Sequence, residues 1–301
     1  MDAAAVLWYN VLTLRKREYS MEHILRQYAI GGQVIGILGP HYKESSYLKP
    51  FRCEAATSDI LFCVAVGHPI LPTEAACLFR DLHTGLYECE GKTLRVLFRE
   101  RSEDPLLIIP EERPGEFIAL LEEACFSLWD SNLLMKMMEL PTLMLRQNAV
   151  FLHASFIVVE GKAILFTAPK QIGKSTQAAL WQRHRNARII NGDRALLRYV
   201  DGIWTAFGSP YCGTSEFCEN GAYPIAAIVL LSQGKTNTIR PARVREAAAA
   251  FLDGCSYDPE QHTEQVLDIA LDVWKRLPIL CLSCLPDETA VTCLEQAIIK
   301  E

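Results

Sequence analysis

The segment "ILFTAPKQIGKSTQAALW" (Ile164–Trp181) decides how this chain is read. It passes from an apolar stretch through a short turn into a helix-forming run, and the turn ends in Gly173-Lys174-Ser175. That ending fits the phosphate-binding pattern G-x-x-x-x-G-K-[ST], with Ala168 at the first glycine position. A phosphate loop needs a strand that delivers the chain to a tight turn and a helix that starts at once behind it. The helix N-terminus then supplies free N–H groups and partial positive charge. "KAILFTA" provides such a strand and "KSTQAALWQRH" such a helix.

The residues expected to surround a bound nucleotide are Ala168, Pro169, Lys170, Gln171, Ile172, Gly173, Lys174, Ser175 and Thr176. Lys174 is placed to reach the β- and γ-phosphates of ATP, and the Ser175 hydroxyl to ligate Mg²⁺. Gly173 lets backbone approach phosphate without a Cβ in the way. Alanine at 168 is the smallest substitute for glycine. Pro169 fixes φ and contributes no amide at an early loop position, where the cradle needs it least.

The rest of the composition is that of a packed globular protein: hydrophobic residues make up 50% of the 301 and charged residues 22%. A net charge of −6 argues against a large nucleic-acid footprint and gives no reason to expect binding to anionic membranes. In the opening "MDAAAVLWYNVLTLRKREYS" the basic residues Arg15, Lys16 and Arg17 follow the apolar run, whereas a signal peptide places them before it. With no bilayer-length apolar run, the expected compartment is the cytoplasm; Met21 is an alternative start. The eleven cysteines are scattered through apolar stretches, which favours buried thiols over a disulfide framework. Cys281 and Cys284 alone form a C-x-x-C, and Cys212 and Cys218 are conceivable zinc partners at irregular spacing.

Patterning divides the chain in two. Before residue 113, "QYAIGGQVIGILG", "SDILFCVAVG" and "LYECEGKTLRVLFRE" read as strands with turns at Gly31-Gly32 and Gly91, and "DPLLIIPEERPG" closes a β-rich domain (1–112). Ile118, Leu121, Ala124, Cys125, Leu128 and Trp129 fall on one helical stripe, so 113–150 reads as a helical bridge, with Met135, Met137 and Met138 as core filling. From 151 to 301 strands and helices alternate. "VFLHASFIVVEG", "KAILFTA", "ARIING", "ALLRYVDGIWTAF", "IAAIVLLS" and "ILCLSC" are the strands, and helices are expected at 174–184, 243–253, 263–277 and 288–300. The Asp201-Gly202 turn makes the expected sheet mixed. The expected fold class is therefore α/β, a mixed-sheet P-loop domain preceded by a smaller β-rich one.

Two further pieces bear on chemistry. The strand "ARII" ends in Asn191-Gly192-Asp193-Arg194, and a carboxylate at such an end, on a strand beside the P-loop strand, is suited to hold Mg²⁺ or take a proton from an attacking hydroxyl. As readily, it is a turn aspartate beside a glycine. His153, in "FLHASF", is by itself more often a satisfied core histidine than a catalytic one. "FGSPYCGTSEF" (Phe207–Phe217) reads equally as a substrate-facing loop or a plain connection, and Arg240 and Arg243 as a solvated strand end and helix start.

Together, "LHASFIVVEGKAILFTAPKQIGKSTQAAL" and "ARIINGDRALL" resemble the catalytic domain of HPr kinase/phosphorylase, over roughly 151–207. They are similar also to relatives of this kinase that accompany ribosomally made peptides. The resemblance implies a phosphoenolpyruvate carboxykinase-like P-loop fold and ATP and Mg²⁺ as cofactors. It implies His153, Lys174 and Asp193 as catalytic residues, with Asp193 accepting the proton of a target serine. Ser175 and Asp193 are the implied metal ligands. This sequence departs from the family at Gly192, where the first acid of an Asp-Asp pair is expected, and at Ala168. The family's Glu-Ile-Arg-Gly segment has no counterpart, Glu216 and Glu219 being stand-ins without matching context. The expected function is transfer of the γ-phosphoryl group to a serine-type hydroxyl on a peptide or small protein, by an enzyme that is a candidate homo-oligomer. The alternative is an ATP-binding peptide-recognition or sensor module without transfer.

Overall fold

The computed structural model describes residues 23–99, 102–215 and 217–299. The chain divides into two compact units, the first ending at Glu139 and the second beginning at Leu140. Each has its own large mixed sheet, so the protein is mixed α/β.

The first unit is built on β1 (His23–Ile30), β2 (Gln33–Pro40), β3 (Arg52–Cys53), β4 (Ile60–Gly67), β5 (Ala76–Arg80), β6 (Thr84–Cys89), β7 (Lys92–Phe98), β8 (Pro105–Arg113) and β9 (Glu116–Glu122). These nine strands form one sheet in the order β3-β1-β2-β4-β9-β8-β7-β6-β5. Gly31-Gly32 and Glu90-Gly91 take positive φ in the turns of the β1–β2 and β6–β7 hairpins, as tight two-residue connections require.

Two expectations fail here. "DPLLIIPEER" is not a closing segment but β8, paired with β7 and β9. It tolerates Pro110 opposite Leu94 near a register shift on its β9 side. "EFIALLE" is not the start of a helix but β9, lying parallel to β4 near the middle of the sheet. Phe117, Ala119, Leu120 and Leu121 are all buried, and a short apolar run buried on both faces carries no period that separates strand from helix. Helix begins only afterwards, as a 3-10 turn at Glu123–Leu128 and then α1 (Ser131–Met138). Asp130 caps α1 by accepting the Asn132 and Leu133 N–H groups. Met135, Met137 and Met138 are buried as expected. The unit boundary falls inside the stretch expected to be a bridge.

The second unit contains α2 (Leu140–Leu145), β10 (Val150–Val159), β11 (Lys162–Thr167), α3 (Lys174–Arg185), β12 (Arg188–Asn191), β13 (Arg194–Val200), β14 (Ile203–Phe207), β15 (Ala222–Gln233), β16 (Thr238–Pro241), α4 (Val244–Gly254), α5 (Pro259–Arg276), β17 (Ile279–Cys284) and α6 (Glu288–Ile299). Its sheet runs β11-β10-β13-β14-β15-β17-β16, β12 adds to β10, and a parallel β11–β15 pairing closes a ring. Strand β10 changes partner along its length: its first half pairs with β13, its second with β11 and β12. α5 starts four residues before the expected Thr263, because Asp258 accepts the Glu260 N–H and Pro259 suits the first helical turn.

Side chains separate by strand alternation into two cores. Leu152, Phe156, Trp204 and Ile279 pack with Phe251 of α4 and Val273 of α5. Ile157, Phe166, Leu280 and Leu282 pack with Trp181 of α3 and Leu294 of α6. Burying side chains of this size contributes roughly 1.5–3 kcal/mol each, and Trp181 and Ala178 thereby fix the axis of α3. The alternation also settles the C-x-x-C pair: Cys281 packs against the first core and Cys284 against the second, so their thiols lie on opposite faces and share no ligand.

Candidate functional site

The site grows from the turn between β11 and α3. Gln171 (φ 66°) and Gly173 (φ 121°) take left-handed backbone, whereas Ala168 does not. The first pattern position therefore needs no glycine in this turn, and the side chains of Ala168 and Ile172 pack into the core beneath α3. Gly173 caps α3, and the first intrahelical bond runs from the Gln177 N–H to the Gly173 carbonyl. The amides of Lys174, Ser175 and Thr176 are thus at the helix N-terminus without intrahelical acceptors. Ser175 and Thr176 are exposed. Lys174 is buried and turned back, its Nζ donating to the carbonyls of Ala168 at 2.9 Å and Pro169 at 3.4 Å.

Strand β10 brings the histidine. Its register sets His153 opposite Arg194, and the Ala154 N–H donates to the Asp193 carbonyl at 3.0 Å. His153 Nε2 then lies 3.5 Å from Asp193 Oδ1, and Thr167, the last residue of β11, donates its hydroxyl to the His153 carbonyl at 3.0 Å. His153, Asp193 and β11 are in this way tied through backbone.

One expectation about connectivity is corrected: β12, which leads to Asp193, pairs with β10 and not with β11, the strand before the Gly173-Lys174-Ser175 turn. β10 stands between the two, because it is long enough to serve three neighbours. Asp193 is brought to the site all the same by the turn that follows β12.

Asn191, fully buried, shapes that turn. Its Oδ1 accepts the N–H groups of Asp193 and Arg194, each at 2.8 Å, and its Nδ2 donates to the Ser209 carbonyl at 2.9 Å. On the far side of Asp193, Arg194 Nε is 3.5 Å from Oδ2, and the Arg194 guanidinium also donates to Ser256 and lies over the Tyr211 ring. The carboxylate is thus flanked by imidazole on one oxygen and guanidinium on the other. Burial and the Lys174 charge hold the His153 pKa below its ordinary value against the pull of Asp193. Burial likewise lowers the Lys174 ammonium, Asp193 opposing it.

The space of an acid at 192 is already taken. A Cβ on Gly192 would stand 2.2 Å from Ser215 Oγ. Gly213, at φ 56°, brings its backbone so near that its own Cβ would be 2.8 Å from the Asp193 carboxyl carbon. Both contacts come from the connection 208–221. Sequence reading singled out its first part but not Gly213 or Ser215 as neighbours of Asp193, since nothing local signals a contact across twenty residues of chain. Asn191 was legible as a turn residue only. Glu219 pairs with Arg188 at 2.8 Å, and Glu216 lies outside the described residues. Arg240 pairs with Glu246 at 2.7 Å, as a solvated strand end and helix start would. Among the described residues no cluster of three or more His, Cys, Asp or Glu is arranged to hold a metal ion, and no helix is long and apolar enough to cross a membrane.

No protein-family model matches the chain, and no curated protein matches it in sequence. Among solved structures it is similar to the Hpr(Ser) kinase/phosphatase from Coxiella burnetii. The identity is 12%, over 50% of this chain and 97% of that one, with a TM-score of 0.32.

Proposed function

We propose that the second unit is an ATP- and Mg²⁺-dependent phosphotransferase of the P-loop, phosphoenolpyruvate carboxykinase-like kind, which passes the γ-phosphoryl group to a serine-type hydroxyl on a peptide or small protein. The observation that carries this reading is the convergence of three groups from separate elements. Lys174 comes from the start of α3, His153 from β10 and Asp193 from the turn after β12, with His153 and Asp193 3.5 Å apart.

The residues present suit a nucleotide. Lys174 is a buried cation resting on two carbonyls, free to exchange them for phosphate oxygens. Lys170 adds a second cation on the same turn, and the amides at the start of α3 add N–H donors. The Ser175 hydroxyl and the Asp193 carboxylate are the groups that would hold Mg²⁺, which when bound offsets charge on the phosphate oxygens. Asp193 takes the proton of the attacking hydroxyl. His153, kept neutral near neutral pH, donates or accepts a hydrogen bond beside the transferring group without adding repulsion to Lys174.

The test is transfer of label from γ-labelled ATP, with Mg²⁺, to hydroxyl-bearing peptides by the parent, Lys174→Ala and Asp193→Asn. Transfer by the parent and a loss of about 10²-fold or more in Asp193→Asn is expected. Tight ATP binding with no transfer to any acceptor selects the sensor reading instead, and absence of ATP binding rejects both.

A further inference from the structure

The connection 208–221 does more than join β14 to β15. Its base is tied down: the Gly208 N–H donates to the Gly221 carbonyl at 2.9 Å, and the Glu219 N–H to the Ile190 carbonyl at 3.0 Å. Cys218 forms a β-bridge with Asn191, and Ser209 receives the Asn191 amide. These bonds fasten the two ends of the loop to the strand that leads into Asp193, so its tip is delivered onto the turn at 192–193. There Gly213 takes the left-handed backbone that brings the chain onto the Asp193 carboxylate.

Ser215 follows two residues later, its Oγ in the niche that the missing side chain of Gly192 leaves open. The Ser215 Oγ accepts the Phe217 N–H at 3.1 Å, and the Ser215 N–H donates to the Cys212 carbonyl at 2.9 Å, so the hydroxyl is oriented by its own turn. Thr214, between them, is exposed.

A serine hydroxyl of the class the site would act on thus lies against Gly192, the residue before the carboxylate that would act on it, on the loop whose Gly213 abuts that carboxylate. We propose that Ser215 is itself a phosphate acceptor, modified in cis from ATP, and this rests on the phosphotransferase reading above. In the step, Ser215 Oγ forms a bond to the γ-phosphorus, and the bond from that phosphorus to the β,γ-bridging oxygen breaks. ADP leaves, and the hydroxyl proton passes to the Asp193 carboxylate. Gly213 already lies against the Asp193 carboxylate, so on this proposal a peptide acceptor competes with Ser215 for Asp193.

The experiment uses the full chain, ATP and Mg²⁺, with intact-mass and peptide-mapping mass spectrometry over time, for the parent, Thr214→Ala, Ser215→Ala, Lys174→Ala and Asp193→Asn. Melting curves confirm that each variant is folded, and nucleotide binding is titrated separately. The expected result is a single phosphate on Ser215 in the parent and in Thr214→Ala, at a fractional rate that does not change with protein concentration. It is absent from Ser215→Ala and slowed about 10²-fold or more in Asp193→Asn. Phosphate on another residue, or an equal amount on Ser215 in Lys174→Ala, overturns the proposal. So does an unmodified Ser215 in protein that phosphorylates an added peptide, a result that leaves the phosphotransferase function standing. An absence of nucleotide binding removes both together.

Discussion

Asn191 holds Asp193 in place through its side chain: Oδ1 accepts the Asp193 N–H at 2.8 Å while the rest of the amide is bonded to Ser209. Asn191→Ala deprives the half-buried Asp193 and Arg194 N–H groups of their side-chain acceptor and leaves the Ser209 carbonyl only the Cys218 thiol as donor. The expected loss of stability is about 1–3 kcal/mol, read from denaturant melts. On the proposed function, phosphoryl transfer should fall further than nucleotide affinity, because the 168–173 turn is anchored by α3 and not by Asn191. An equal fall in both would show that Asn191 serves only the fold.

Gly192 and Ser215 compete for one niche. Gly192→Ala sets a methyl 2.2 Å from Ser215 Oγ and 2.5 Å from its Cβ, and should cost about 1–3 kcal/mol by overpacking. Ser215→Gly in the same chain should recover most of that cost. A double-mutant cycle with no coupling would mean that the loop tip is not seated as described.

The His153 imidazole gives a pH dependence with a definite sign. Burial, aided by Lys174, lowers its pKa in the folded protein against the opposing pull of Asp193. The unfolded chain therefore binds the proton at a higher pH than the folded chain does. The stability His153 contributes is complete above the ordinary histidine value of about 6.5. It is lost as pH falls toward the folded pKa. The parent should lose thermal stability on mild acidification more steeply than His153→Gln, and the His153 ring should titrate below an exposed histidine in NMR spectra. Titration at or above the ordinary value contradicts the geometry of the site.

Cys281 and Cys284 should behave as strangers. They pack against separate cores, so the effects of Cys281→Ala and Cys284→Ala on stability should add within about 0.3–0.5 kcal/mol. Chelators should leave the melting temperature unchanged. A strong coupling, or one zinc ion bound per chain through both thiols, would overturn the placement of the two faces.

The strand–turn–helix at 162–185 was legible because every local signal agrees there: an apolar strand, a glycine where the backbone turns left-handed, and a helix-forming run behind it. The hairpins at Gly31-Gly32, Gly91 and Asp201-Gly202 were legible for the same reason. Glu116–Glu122 was not, since Phe117 to Leu121 owe their burial to strands on both sides, and that surrounding is invisible in one segment. At the site, His153, Lys174 and Asp193 stood out as residues, but the β10–β13 register that joins two of them did not. Nor did the contacts of Gly213 and Ser215 with the 192–193 turn, which depend on where a distant loop lands.

Strand β11 is paired on both edges, with β10 on one side and β15 on the other. The backbone that leads into the Gly173-Lys174-Ser175 turn therefore has no open side along which it can peel away or shift register. Any adjustment on binding must be taken up beyond its end, in the residue 168–173 turn. The wall is fixed, and freedom of the chain begins only where β11 ends.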